Sequence, residues 1–276
     1  MKEKKHWFLR YPLVPAFILP LASIIGVALA VSLILALLPA IFGDGIRAFR
    51  EFPTVLQAVF RILLALIIIL VMKKSSQGKF RFGFQKYNLW PSIALASLSL
   101  LVVLDNIVEN SLAGRSLQNT FPGIVIALLA GFAPGFFEEV VCRGVVLTNM
   151  MQRWNQKNGY LMKSVLASGI AFGLVHLFNL MNGDVMGTLL QVCYASGIGI
   201  FFGAVFARTR NLWGTIILHS LVDFSEYMFL GEPETTVLTI VISIVITIAY
   251  TLTGLYLIRS EKQEEILALW EEPQQE

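Results

Sequence analysis

The sequence predicts an all-α fold: a polytopic membrane helix bundle of about eight transmembrane helices with both termini cytoplasmic. Three observations carry this. The 276 residues are 56% hydrophobic and only 14% charged, against roughly 25% charged in an ordinary soluble domain, and the mean hydropathy is positive. Apolar runs of about 17–25 residues, long enough to cross a hydrocarbon core, recur along the chain. Basic residues gather in alternate connections between those runs, which is the positive-inside pattern.

The first run, residues 13–42, carries Pro15, Pro20 and Pro39 and is expected to be long and bent. Lys2, Lys4, Lys5 and Arg10 precede it, but it is far longer than the apolar region of a signal peptide and reads as a retained span. The second and third spans are expected over residues 54–72 and 89–108. The fourth run, 121–151, would measure roughly 45 Å at ~1.5 Å per residue, too long for one straight span. Its Gly131-Phe132-Ala133-Pro134-Gly135 stretch is expected to bend or break it just before a pair of glutamates. Spans five to eight are expected over 164–180, 185–207, 212–230 and 235–258. Lys73, Lys74, Lys79, Arg81 and Lys86 fall in the connection after span two, Arg153, Lys157 and Lys163 after span four, and Arg208 and Arg210 after span six. The intervening connections hold only Arg47, Arg50 and Arg115 as basic residues, so every basic loop is assigned to the cytoplasm.

Three units follow: residues 1–120 with three helices and a basic cytoplasmic loop, a core of four helices over 121–230, and residues 231–276 with the last helix and an acidic, solvated tail that can be helical. Gly131/Gly135, Gly169/Gly173 and Gly199/Gly203 have the spacing that lets membrane helices approach, and bundle packing accounts for them. The basic, aromatic-rich connection 73–87 suits anionic lipids rather than nucleic acid. There is no P-loop or dinucleotide fingerprint. Cys142 and Cys193 lack metal-type spacing and imply no disulfide framework.

The stretch Phe136-Phe137-Glu138-Glu139-Val140-Val141-Cys142-Arg143 places two acids and a guanidinium in an apolar run, where each charge costs about 2.5–3.5 kcal/mol at the bilayer centre. Glu139 and Arg143, one helical turn apart, share a face and can form a structural ion pair. Glu138 points about 100° away and has no local partner, which singles it out for chemistry. Two of the three histidines are intramembrane: His176, and His219, which shares a helix face with Asp223. Ionisable residues on three spans should converge on one interior site. A carboxylate and an imidazole there can take a proton from water, and a second imidazole can donate to an oxyanion. Alternatively, His176, His219 and a carboxylate, from Glu138 or Asp223, could bind zinc with an open fourth position, lowering the pKa of bound water to about 7. The plainer readings are structural. An intramembrane His is commonly a packing hydrogen bond, Arg61 and Asp105 sit near span ends where snorkelling is the default, and Cys142 and Ser220 lack the partners of a nucleophile.

Three motifs thus occur in order on apolar segments: Glu138-Glu139-x-x-x-Arg143, Phe172-x-x-x-His176 and His219-x-x-x-Asp223. Together they resemble the CPBP family of intramembrane proteases (CAAX proteases and bacteriocin-processing enzymes, also called Abi), which includes the type II CAAX prenyl endopeptidases. The resemblance covers roughly residues 121–230. It implies an eight-helix bundle in the cell membrane, with a cavity open toward the cytoplasm and an endopeptidase acting on a hydrophobic or lipid-modified peptide. Glu138 with His176 would activate water, His219 and Asp223 would stabilise the oxyanion, and Glu139 with Arg143 would hold the helix. The prenyl endopeptidases usually carry Asn at the last position. Asp223 would therefore be protonated, orient His219, or help hold a metal, and zinc stays open as a cofactor. Membrane lipids are the other expected partners. Two competing readings are a non-catalytic immunity or regulatory protein that binds a partner peptide or sensor kinase, and a secondary transporter, which the lack of an internal repeat disfavours.

Overall fold

The computed structural model describes residues 13–42, 53–76, 80–155, 158–231 and 236–271. Among them the regular structure is helical, apart from one isolated antiparallel bridge between Leu117 and Phe229. The elements in order are α1 (Leu13–Phe42), α2 (Pro53–Ser75), α3 (Leu89–Ala96), a 3-10 turn (Ser97–Ser99) and α4 (Leu100–Leu112). Then come α5 (Phe121–Glu139), a π-helical segment (Val140–Leu147), α6 (Thr148–Trp154), α7 (Tyr160–Val175) and a 3-10 segment (His176–Asn182). The chain continues with α8 (Val185–Thr209), α9 (Leu212–Tyr227), α10 (Val237–Leu257) and α11 (Ser260–Glu271).

Polar residues at the starts of helices supply the partners that free backbone N–H groups need. The Thr120 hydroxyl accepts from Gly123 N at 3.2 Å before α5, and Asp184 Oδ1 accepts from Gly187 N at 2.9 Å before α8. Asn211 Oδ1 accepts from Trp213 N at 3.0 Å before α9, and Thr236 and Thr239 cap each other reciprocally at the start of α10.

Seven stretches among the described residues are long and apolar enough to cross a membrane: α1, α2, α3–α4, α5–α6, α7 with its 3-10 extension, α8 and α10. The bundle is therefore polytopic and all-helical. The remaining expected span, 212–230, folds as the 16-residue α9. At ~1.5 Å per residue that is roughly 24 Å, short of a hydrocarbon core of about 30 Å. Beyond it the chain pairs with the segment before α5, through Gln118 N to Met228 O and Leu230 N to Ser116 O, both 2.8 Å.

α8 is central, packed against α7 and α10, while α5 packs against α9 and α2. α9 also meets α3 and α4, and α1 lies outside against α2 and α7.

Two expectations change. α5 runs through Pro134 without interruption as far as Glu139, and the irregularity falls after the glutamates, as the π-helical segment. Within the basic connection Phe80 and Phe82 are buried in the core, while Tyr87 is exposed. That segment is fastened to the α8–α9 corner. Asn211 Nδ2 donates to the carbonyls of Gln85 (2.7 Å) and Tyr87 (2.8 Å), Trp213 Nε1 to Phe84 O (3.1 Å), and Leu212 N to Gly83 O (2.7 Å). Gly83 sits at φ +91°, and a side chain there would also strike Arg210 O at 2.7 Å, so the approach needs glycine. Finally, the acidic tail is not simply solvated. Its residues up to Glu271 lie in α11, whose Ile266 is buried and whose Trp270 Nε1 donates to Ala207 O at 2.7 Å beneath the Arg210 guanidinium. Lys2, Lys4, Lys5, Arg10, Arg47, Arg50, Lys79 and Lys157, used above for orientation, lie outside the described residues.

Candidate active site

The site begins with a close approach of two backbones. A Cβ added at Gly131 would lie 2.6 Å from Phe224 N, and one at Gly135 would lie 2.8 Å from Ser220 N. α5 and α9 therefore almost touch, as small residues permit in membrane helices. One turn beyond Gly135, this brings the two glutamates alongside His219.

Glu139 Oε1 accepts from Arg143 Nη1 at 2.7 Å and from His219 Nδ1 at 2.9 Å. Both Glu139 and Arg143 are wholly buried. A buried charge needs a partner and further hydrogen bonds, and Arg143 has them at Nη1 and Nη2, while its Nε has none among the described residues. Its Nη2 donates to Gly199 O at 3.1 Å, and its guanidinium carbon lies 4.6 Å from the centroid of the Phe172 ring. Arg143 lies within the π-helical segment, whose wider turns leave carbonyls to be satisfied from elsewhere. The Thr148 hydroxyl reaches Arg143 O at 3.1 Å, and the Ser168 hydroxyl reaches Cys142 O at 3.2 Å. Such π segments recur at functional sites.

His219 is held between the two acids. With Nδ1 on Glu139, its Nε2 lies 3.8 Å from Glu138 Oε2 and 3.7 Å from Asp223 Oδ2. Those separations exceed a direct hydrogen bond, yet both carboxylates face the same ring nitrogen. The two sides of the ring differ. The Glu139 side chain is fully enclosed, whereas Glu138 and Asp223 are 17% and 25% exposed. Reactive geometry therefore opens on the Nε2 side only.

His176 follows directly after α7, where the helix tightens into the 3-10 segment. Its Nδ1 lies 3.0 Å from Phe172 O, so the carbonyl accepts the Nδ1 proton and Nε2 is the nitrogen left for another partner. Phe172 separates the two imidazoles, meeting His176 edge-on at 5.1 Å between centroids and His219 at 5.9 Å.

Glu138, Glu139, Arg143, His219 and Asp223 thus form one contiguous cluster, and His176 joins it through Phe172. Glu138, with no partner on its own helix, faces His219 across the helix gap. Asp223 is not the residue that fixes His219 through its inner nitrogen, because Glu139 does that. Sequence spacing within one helix could pair Glu139 only with Arg143; the link to His219 depends on the α5–α9 contact. Phe172 was visible as part of a motif, but its packing against Arg143 and both histidines was not. The Gly135–Ser220 approach explains why Ser220 packs between helices instead of facing the cluster.

A resident zinc would need three convergent donor atoms. Among the described residues no group of three or more His, Cys, Asp and Glu side chains is arranged to hold a metal ion. One nitrogen of His219 is already engaged by Glu139. As placed, the described residues do not fit zinc.

Carboxylates and imidazoles from three apolar segments, enclosed in an all-helical bundle, define a polytopic membrane protein with an intramembrane polar site. Residues 120–225 match the family model described as type II CAAX prenyl endopeptidase Rce1-like. The match runs from the cap of α5 into α9 and takes in every residue of the cluster. It supports the CAAX protease family resemblance and, in general terms, an intramembrane protease. No curated protein and no solved structure gave a match.

Proposed function

We propose that the protein is an intramembrane endopeptidase that hydrolyses a peptide bond in a hydrophobic or lipid-modified substrate, using water activated by Glu138 and His176. The observation that carries this reading is the asymmetric placing of two acids about one ring: Glu139 bonded to Nδ1 of His219 in a closed environment, and Glu138 facing Nε2 on the open side. Glu138 takes a proton from water as the oxygen attacks the carbonyl carbon. His219, carrying a proton on each nitrogen, donates from Nε2 to the oxyanion while Glu139 fixes the ring. Collapse of the tetrahedral species breaks the C–N bond, and the proton held by Glu138 passes to the departing amine. Asp223, beside the same nitrogen, balances the charge of that ring. The site opens toward the cytoplasm, the side to which the basic connections are assigned.

The test is a cleavage assay on detergent-purified protein against a library of hydrophobic peptides, comparing wild type with Glu138→Gln and His176→Ala, each with and without chelator. Cleavage by wild type alone supports the reading, and full activity in Glu138→Gln sinks it. Loss of activity with chelator would assign the activation of water to a metal instead.

A further inference from the structure

Glu139 Oε1 joins the Arg143 guanidinium to the His219 imidazole, and one ring outside the three motifs touches both of those groups. Phe202, on α8, is wholly buried. Its ring centroid lies 5.8 Å from that of His219, with the two planes inclined at 35°, and the Arg143 guanidinium carbon stands over the same ring at 5.8 Å. Phe172 meets the same two groups from α7, edge-on to His219 at 5.9 Å and 4.6 Å from the guanidinium carbon. The imidazole and the guanidinium therefore share two aromatic walls as well as one oxygen.

A second close approach of backbones puts Phe202 there. A Cβ added at Gly169 would lie 2.5 Å from Ile200 N, and one at Gly199 would lie 2.8 Å from Gly169 O, so α7 and α8 almost touch. Gly199 and Phe202, three apart, share a face of α8. From that face Arg143 takes both a carbonyl, at Gly199, and a ring. An aliphatic side chain could fill the same space, but it would present no negative face. Arg143 has use for one, since its Nε lacks a hydrogen-bond partner among the described residues. A cation within about 6 Å of a ring centroid is attracted by the ring quadrupole, the more strongly where water is excluded. Both Phe202 contacts lie inside that distance, on the enclosed Glu139 side of the site.

We propose that Phe202 is a positioning residue of the active site, its π face holding the His219 imidazolium and the Arg143 guanidinium around Glu139 so that Nε2 stays turned to the open side. Its effect on turnover rests on the protease reading. The neighbouring Phe201 supplies the contrast, for it is equally buried and its ring partners are Phe202 and Tyr250.

The test replaces Phe202 in the full-length protein with difluoro- and trifluorophenylalanine, which keep nearly the same shape and drain the ring face of negative charge. Cleavage of a peptide that wild type cuts is then measured in detergent. kcat is expected to fall stepwise along the series, to about tenfold below wild type, with KM held within a factor of about two. The same replacements at Phe201 should leave kcat within a factor of about two. A flat kcat along the Phe202 series overturns the proposal. So does an equal fall at both positions, the mark of plain core packing, or a change confined to KM, the mark of a substrate contact. If wild type cuts no peptide, it is the protease reading that fails. NMR of protein isotopically labelled at its histidines then decides the clamp on its own, with the His219 ring signals identified by their loss in His219→Asn. One sharp set in wild type that broadens or splits in Phe202→Leu and not in Phe201→Leu supports it. Signals unchanged in Phe202→Leu, or altered equally in both variants, overturn it.

Discussion

A single oxygen of Glu139 serves two helices, accepting from Arg143 one turn along its own chain and from Nδ1 of His219 on α9, at 2.7 and 2.9 Å. Charge satisfaction and ring positioning therefore depend on one atom.

Glu139→Gln should be costly for both stability and turnover. It leaves a buried guanidinium without its anion, a loss of about 3–5 kcal/mol for buried pairs. The melting temperature in detergent should fall sharply, and Glu139→Gln/Arg143→Gln should be less destabilising than the sum of the two single changes. An unchanged melting temperature in Glu139→Gln would contradict the shared-oxygen arrangement.

Glu138→Gln should behave in the opposite way. Its carboxylate is partly exposed and 3.8 Å from His219, too far for a direct bond, so the fold should lose little. Hydrolysis should drop by about 10²–10⁴, the range for loss of a general base. The pair of measurements, melting temperature against kcat, separates the two neighbouring acids.

Two glycines provide a steric control. Gly135→Ala puts a methyl group 2.8 Å from Ser220 N, whereas at Gly203 the nearest atom is a Val165 methyl at 3.5 Å. The first should cost about 1–3 kcal/mol by overpacking and displace Glu138 from His219; the second should stay within roughly 0.5 kcal/mol of wild type. Melting and cleavage of the two variants in parallel would check this.

Asn211→Ala removes the donor to two carbonyls of the segment between α2 and α3. Buried acceptors left unpaired cost about 1–3 kcal/mol. Limited proteolysis should then nick between α2 and α3 faster than in wild type, while α9 remains protected.

Much of this was legible in the sequence, because a bilayer leaves few choices. Apolar length announced most of the spans, and a charge in such a run stands out. Glu138, Glu139, Arg143, His176, His219 and Asp223 could all be picked out one by one. What could not be read was how they divide the work. Spacing finds partners within a helix, such as Glu139 with Arg143, but the assignment of Glu139 rather than Asp223 to Nδ1 of His219 depends on how closely Gly135 lets α9 approach. Arg61 looked like a span-end residue until the packing of Pro134 and Tyr227 placed it in a cleft. The short α9 had a similar cause: its expected length counted Phe229 and Leu230, which belong to the bridge with the segment before α5.

The fastening of the α2–α3 connection to Asn211 and Trp213 also has a consequence for synthesis. These bonds join residues 124–129 positions apart, and the chain emerges from the ribosome at about 5–20 residues per second. Phe82, Gly83 and Phe84 therefore wait on the order of 10 s for their partners, with aromatic rings and backbone carbonyls meanwhile facing water or headgroups. Closure of this end of the bundle is thus a late event in biogenesis, set by the arrival of the α8–α9 corner. A ribosome paused before residue 211 would leave that end open to chaperones and to membrane-bound proteases.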